Sequence, residues 1–175
     1  MLLTYCGDIL YPEIRISQDM KGRAKAKYNK IKINPEKDKR KFASEGNRLL
    51  YGYLGEVIVM DYYGVDDVDD YEYDIIVGEY KIDVKSISCK FEPPKNYLAT
   101  VNSCEIEGGH RQDADVYIFV RIREDCEIAW IVGFIECDRF FDMSRFIQKG
   151  ETYHGMKFEK ANMNVLPINK LHPIS

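Results

Sequence analysis

Asp74, Asp83 and Lys85 are the residues whose spacing promises chemistry. The run Tyr73-Asp74-Ile75-Ile76-Val77-Gly78-Glu79-Tyr80-Lys81-Ile82-Asp83-Val84-Lys85 reads as two β-strands joined at Gly78-Glu79, the Gly-X pair of a type II′ hairpin. With the turn there, Val77 faces Tyr80, Ile75 faces Ile82 and Asp74 stands opposite Asp83. Carboxylates paired in this way have Cβ atoms roughly 4.5–5.5 Å apart and repel unless something neutralises them. A divalent cation would do so. Strand alternation puts Lys85, two residues beyond Asp83, on the same face.

Context selects this triplet. The chain has two other acid-x-Lys triplets, Asp19-Met20-Lys21 and Glu79-Tyr80-Lys81, but the first has no strand pattern and the second straddles the turn. The alternative is a solvated hairpin face on which Glu72 and Lys85 form a surface pair, which would contribute little.

A third carboxylate comes from upstream. Residues 44–63 read as a helix with Leu49, Leu50, Tyr53, Leu54, Val57, Ile58 and Met60 at helical spacing and Ser44 as N-cap. Gly46, Gly52 and Gly55 fall in or near it, and each interior glycine costs a helix about 1 kcal/mol relative to Ala. Close approach of the backbone to another element or a ligand is one reason to accept that cost. Glu56 follows Gly55 directly; an exposed helical Glu is the plainer reading of it.

Gly55-Glu56, Asp74 and Asp83-Val84-Lys85 together resemble the signature of the PD-(D/E)XK nuclease superfamily, closest in look to small bacteriophage-encoded nucleases. The resemblance spans about residues 44–123. More loosely, Ala129–Ile135 with the helix after it, and Val165–Leu171, look like late elements of such enzymes. Two departures stand out: no Pro precedes Asp74, and Gln112 has no Tyr four residues later, which speaks against the exonuclease-like branch.

The resemblance implies a restriction-endonuclease-like core and a metal-dependent DNA endonuclease acting as a homodimer, since a double-strand cut needs two sites. It implies Mg²⁺, with Mn²⁺ able to substitute, held by Asp74, Asp83 and the Val84 carbonyl, with Glu56 assisting. Lys85 would orient the nucleophile or contact the phosphate, and Ser86 and Ser88 would lie near the cut. A junction or branched-DNA resolvase uses the same constellation. A nucleic-acid-binding protein that keeps the fold without turnover is the reading from another class.

Charge is strongly polarised along the 175 residues. Net charge is −4, yet residues 21–41 hold ten of the 25 basic residues against Glu36 and Asp38, so this segment carries +8 and the rest −12. Lys21, Arg23, Lys25, Lys27, Lys30 and Lys32 are the expected phosphate contacts, on a basic helix or arm whose affinity for DNA would depend on salt. The alternative is a solvated charged arm. Residues 61–74 hold seven acids and no base. Asp66-Asp67-Val68-Asp69-Asp70 lacks the spacing and terminal Glu of a calcium-binding EF-hand loop.

The remaining features exclude more than they suggest. Cys6, Cys89, Cys104, Cys126 and Cys137 include no Cys-x-x-Cys pair, and His110, His154 and His172 are far apart, which argues against zinc, iron–sulfur and His-metal centres. No apolar run approaches the roughly 20 residues of a membrane span, and the first residues lack a signal-peptide pattern. A cytoplasmic protein, in the host cell if phage-encoded, is expected.

To position the site, the chain must supply a mixed central sheet flanked by helices, in a single α/β domain over residues 1–175 with its catalytic core at 44–135. Short strands are expected at Pro12–Ser17 and Tyr97–Val101, and longer ones at Asp115–Ile122 and Glu127–Ile135. Pro93-Pro94 marks a loop and Asp138–Ile147 reads as a helix.

Overall fold

The computed structural model describes residues 11–33, 47–68, 70, 72–103 and 113–174. The expected N-cap Ser44, Gly46, Lys37–Lys41, Cys6, Cys104, His110 and Gln112 lie outside these residues.

A five-stranded mixed sheet forms the centre, in the order β1-β6-β5-β3-β2. These strands are β1 (Glu13–Arg15), β2 (Ile75–Val77), β3 (Tyr80–Cys89), β5 (Val116–Arg123) and β6 (Ile128–Glu136). β3 and β5 run parallel, from Ile82↔Val116 to Cys89↔Arg123, and the other neighbours are antiparallel. β5 is central, and its run Val-Tyr-Ile-Phe-Val-Arg-Ile is buried on both faces, which is why it reads as almost continuously apolar.

Alternation along β5 divides the core. Val116, Ile118, Val120 and Ile122 face one way, packing with Ile82, Val84 and Ile131 under two helices. These are α1 (Gln18–Ile33) and α2 (Asn47–Tyr63). Tyr117, Phe119, Trp130 and Val132 face the other way, toward Ala99, Val101, Phe140 and Leu166. That side is covered by a second sheet, ordered β4-β10-β7, and by α3 (Cys137–Met143). β4 is Leu98–Asn102, β7 Arg145–Ile147 and β10 Met163–Pro167. A small hairpin, β8 (Thr152–Tyr153) with β9 (Met156–Lys157), lies between β7 and β10 in sequence. No helix among the described residues is long and apolar enough to cross a membrane.

The expected strands form with ends displaced by a residue or two, the expected helix over 44–63 is present from Asn47 to Tyr63 among the described residues, and the basic segment, expected as a helix or arm, is helical from Gln18 through Ile33. One element is corrected. The helix expected over Asp138–Ile147 stops at Met143, and Ser144 is already extended. Arg145–Ile147 instead pairs with β10, Ile147 lying opposite Met163 in full burial. The Asn164 side-chain amide donates to Ser144 Oγ at 2.9 Å and fixes the switch. A partner nearly twenty residues away overrides the local helical pattern.

Candidate active site

α2 is buried on almost every side from Tyr53 to Met60, because α1 covers the surface that the sheet does not. Its approach to β3 is set by Gly55. A Cβ built there would lie 1.7 Å from Ser86 Oγ and 2.8 Å from Ser86 Cβ, so only glycine allows α2 to sit this close. Glu56 is thereby carried into the interior, where it is 5 % exposed. Gly52, by contrast, has open space around it and no such explanation.

The hairpin forms in the expected register. Ile75 pairs with Ile82, Ile76 with Lys81 and Val77 with Tyr80. Gly78 takes φ +63°, and Glu79 is outside the left-handed region, as a type II′ turn requires. The expected rung of Asp74 opposite Asp83 is different in detail. The ladder ends at Ile75, and the Asp74 N–H turns to the Ile82 carbonyl at 2.8 Å. The Asp74 carboxylate then takes the place of backbone, with Oδ2 accepting the Val84 N–H at 2.7 Å. Asp74 is thus tied to the acid-x-Lys strand by side chain as well as main chain.

Three carboxylates are buried around this edge of β3: Glu56, Asp74 at 8 % exposure and Asp83 at 3 %. Two ammonium groups answer them. Lys85 Nζ lies against Asp83 Oδ2 and over the Tyr117 ring at 5.4 Å. Lys27 Nζ, from α1, lies 2.7 Å from Glu56 Oε2 and 2.5 Å from Asp67 Oδ1.

The electrostatics follow from burial. Burial raises the Asp74 pKa well above its ordinary value, and the neighbouring Glu56 and Asp83 charges push it the same way. The Val84 N–H and Lys85 oppose this without cancelling it. For Lys85, burial works against the charge but Asp83 outweighs it, leaving the pKa raised. Lys27 is raised likewise, with Glu56 and Asp67 outweighing burial.

The donor chemistry is of the kind that suits a hard divalent cation: three buried carboxylates offer oxygens. Among the described residues, no three His, Cys, Asp or Glu side chains are drawn together as a closed ligand set. The carboxylates face ammonium groups, and Val84 contributes its N–H to Asp74.

Neither the protein-family models nor the curated proteins compared include a match to this chain.

The other expected residues fall as follows. Ser86 Oγ is buried beneath Gly55 without a hydrogen-bond partner among the described residues, and Ser88 is exposed. Glu72 accepts the Asp113 N–H at 3.1 Å. On α1, Lys21 pairs with Glu127 at 2.6 Å, and Arg23 pairs with Asp19 and Asp61. Lys25 and Lys30 are exposed and form no ion pair with a described residue. Lys32 is in the last turn of α1, its side chain outside the described residues.

Sequence reasoning missed the inward turn of Lys27 and its tie to Asp67. One signal was present: Arg23 and Lys27 are one helical turn apart, opposite an acid-rich stretch that follows α2.

Proposed function

We infer that this chain is a metal-dependent DNA endonuclease with a restriction-endonuclease-like core, working through Glu56, Asp74, Asp83 and Lys85. The observation that carries the reading is the meeting of buried Asp74 with the acid-x-Lys strand, beside a helical Glu56 held inside the protein. Buried carboxylates in such number are costly unless cations compensate them, and sites with strongly shifted carboxyls are often functional.

Asp74, Asp83 and the Val84 carbonyl would hold Mg²⁺ or Mn²⁺, with Glu56 assisting. The ion supplies charge stabilisation on the scissile phosphate and a more acidic water. The chain's own part is positional. Asp74 is locked to Val84 by its hydrogen bond, so its carboxylate moves with β3. Asp83 holds Lys85 charged and in place, and that ammonium would donate to a phosphate oxygen or the attacking water. A quarter of the Lys85 side chain is open to solvent, which gives a substrate access to it. Lys25 and Lys30 on α1 supply cationic surface for the DNA backbone.

The lysine–carboxylate pairs also suit a second reading, a nucleic-acid-binding protein in which they only neutralise buried charge. Purified protein incubated with plasmid, linear, single-stranded and branched DNA, with and without Mg²⁺ or Mn²⁺, separates these. Metal-dependent cleavage is expected. Cleavage confined to branched substrates would indicate a resolvase, and binding without cleavage under any condition would sink the enzymatic reading. A homodimer is expected, and light scattering on the eluted protein tests it.

A further inference from the structure

Lys27 leaves the basic surface of α1 and turns inward. Its ammonium lies between Glu56 and Asp67, and 5.9 Å from the centre of the buried Tyr53 ring. Its side chain is only 18 % exposed, unlike its neighbours Lys25 and Lys30. Glu56 is buried deeply enough that an ionised carboxylate there needs a counter-charge. The arrangement repeats, one carboxylate further on, the pairing of Lys85 with Asp83. Asp74, between them in the electrostatics of the site, is anchored instead by a backbone N–H.

We propose that Lys27 is a positioning residue of this site, whose ammonium keeps Glu56 turned toward α1 and competes with a divalent cation for that carboxylate. The proposal rests on the nuclease reading and adds a residue to it. Lys27 touches neither phosphate nor the reacting atoms; it acts through Glu56. Asp67 holds the ammonium from the solvent side, at half exposure, so the basic helix, the acidic turn and the core of α2 meet at one nitrogen. Two positive centres cannot share one carboxylate without repelling each other. A cation that recruits Glu56 therefore meets the repulsion of the Lys27 ammonium or draws the carboxylate away from it, and the strength of that pairing sets how readily the cation binds.

The test is Mn²⁺ affinity of the full chain, read from the loss of the free-ion paramagnetic signal. Lys27→Met keeps the aliphatic stem and removes the charge, and it is expected to bind Mn²⁺ more tightly, on the order of tenfold. Lys27→Arg is expected to stay near the parent protein. In a Glu56→Gln background, Lys27→Met is expected to add nothing. Unchanged affinity in Lys27→Met, or tightening that persists without Glu56, overturns the proposal. If Lys27→Met does not fold, Lys27→Gln, which can still hydrogen-bond Glu56, carries the same expectation; if neither folds, Lys27 is a structural counter-ion and the proposal falls. A parent protein that binds no Mn²⁺ sinks the metal-dependent reading itself. Binding by the parent with no change in Lys27→Met sinks the proposal alone.

Discussion

Gly55 and Ser86 fix how close α2 comes to β3: a methyl group on Gly55 would overlap Ser86 Oγ at 1.7 Å and crowd its Cβ at 2.8 Å. Gly55→Ala should gain about 1 kcal/mol of helix propensity. It should lose more than that to overpacking, which typically costs about 1–3 kcal/mol where the core cannot yield. The Ser86 Cβ is attached to backbone, so it yields little. The expected result is a lower thermal midpoint for Gly55→Ala, partly restored by adding Ser86→Gly. Equal stability of Gly55→Ala and the parent would show that α2 can withdraw from β3.

Chemistry should fail before the fold does. Asp83→Asn and Lys85→Met each keep the approximate side-chain shape and each removes one charge of a pair. Each is expected to lower Mg²⁺-dependent cleavage by on the order of a hundredfold or more. Circular dichroism should remain that of the parent. Full activity in both variants would remove these residues from the site.

Asp74 makes stability depend on pH in a definite direction. Burial, reinforced by Glu56 and Asp83, raises its pKa above the ordinary 3.8, so the folded protein holds this proton more tightly than the unfolded chain. Its contribution therefore favours folding fully below that ordinary value and is lost as pH rises through the raised one. Asp74→Asn retains an oxygen to accept the Val84 N–H and has no charge to bury. It should be more stable than the parent at about pH 8 in the absence of metal, with the gap closing toward about pH 3. Thermal melts across that range check this; a gap that widens on acidification would contradict it.

The surface of α1 offers a separate test. Lys25 and Lys30 are exposed, whereas Lys21, Arg23 and Lys27 are engaged with acids of the same chain. Replacing both exposed lysines with Gln should weaken DNA binding. It should also reduce the slope of log affinity against log salt by about 0.9 for each phosphate that is no longer neutralised. An unchanged slope would place the DNA-binding surface away from α1.

The sequence made the hairpin legible because its determinants are local. Gly78-Glu79 fixes the turn, the turn fixes the register, and alternation carries Asp83 and Lys85 to one face. It did not foretell that Asp74 would leave the ladder and bond the Val84 N–H by its side chain, because that depends on where a three-residue strand stops. The Lys27–Glu56 pair was hidden for another reason: it arises from α1 packing on α2, which no local pattern specifies. Charge runs in sequence suggest solvated surfaces, and only packing distinguishes Lys27 from Lys25. The truncation of α3 was missed because Ile147 answers to Met163 in β10 rather than to its own neighbours.

β2 is only three residues long and pairs with β3 no further than Ile82, so among the described residues no strand lies beside the outer margin of β3 beyond that point. A bare strand margin invites another chain to pair with it, and buried charges there discourage such pairing. Asp83 and Lys85 sit where this discouragement is needed. The same two side chains would then serve the reaction and keep molecules from joining edge to edge. Variants that neutralise them should be watched for fibrous self-association as well as for lost cleavage.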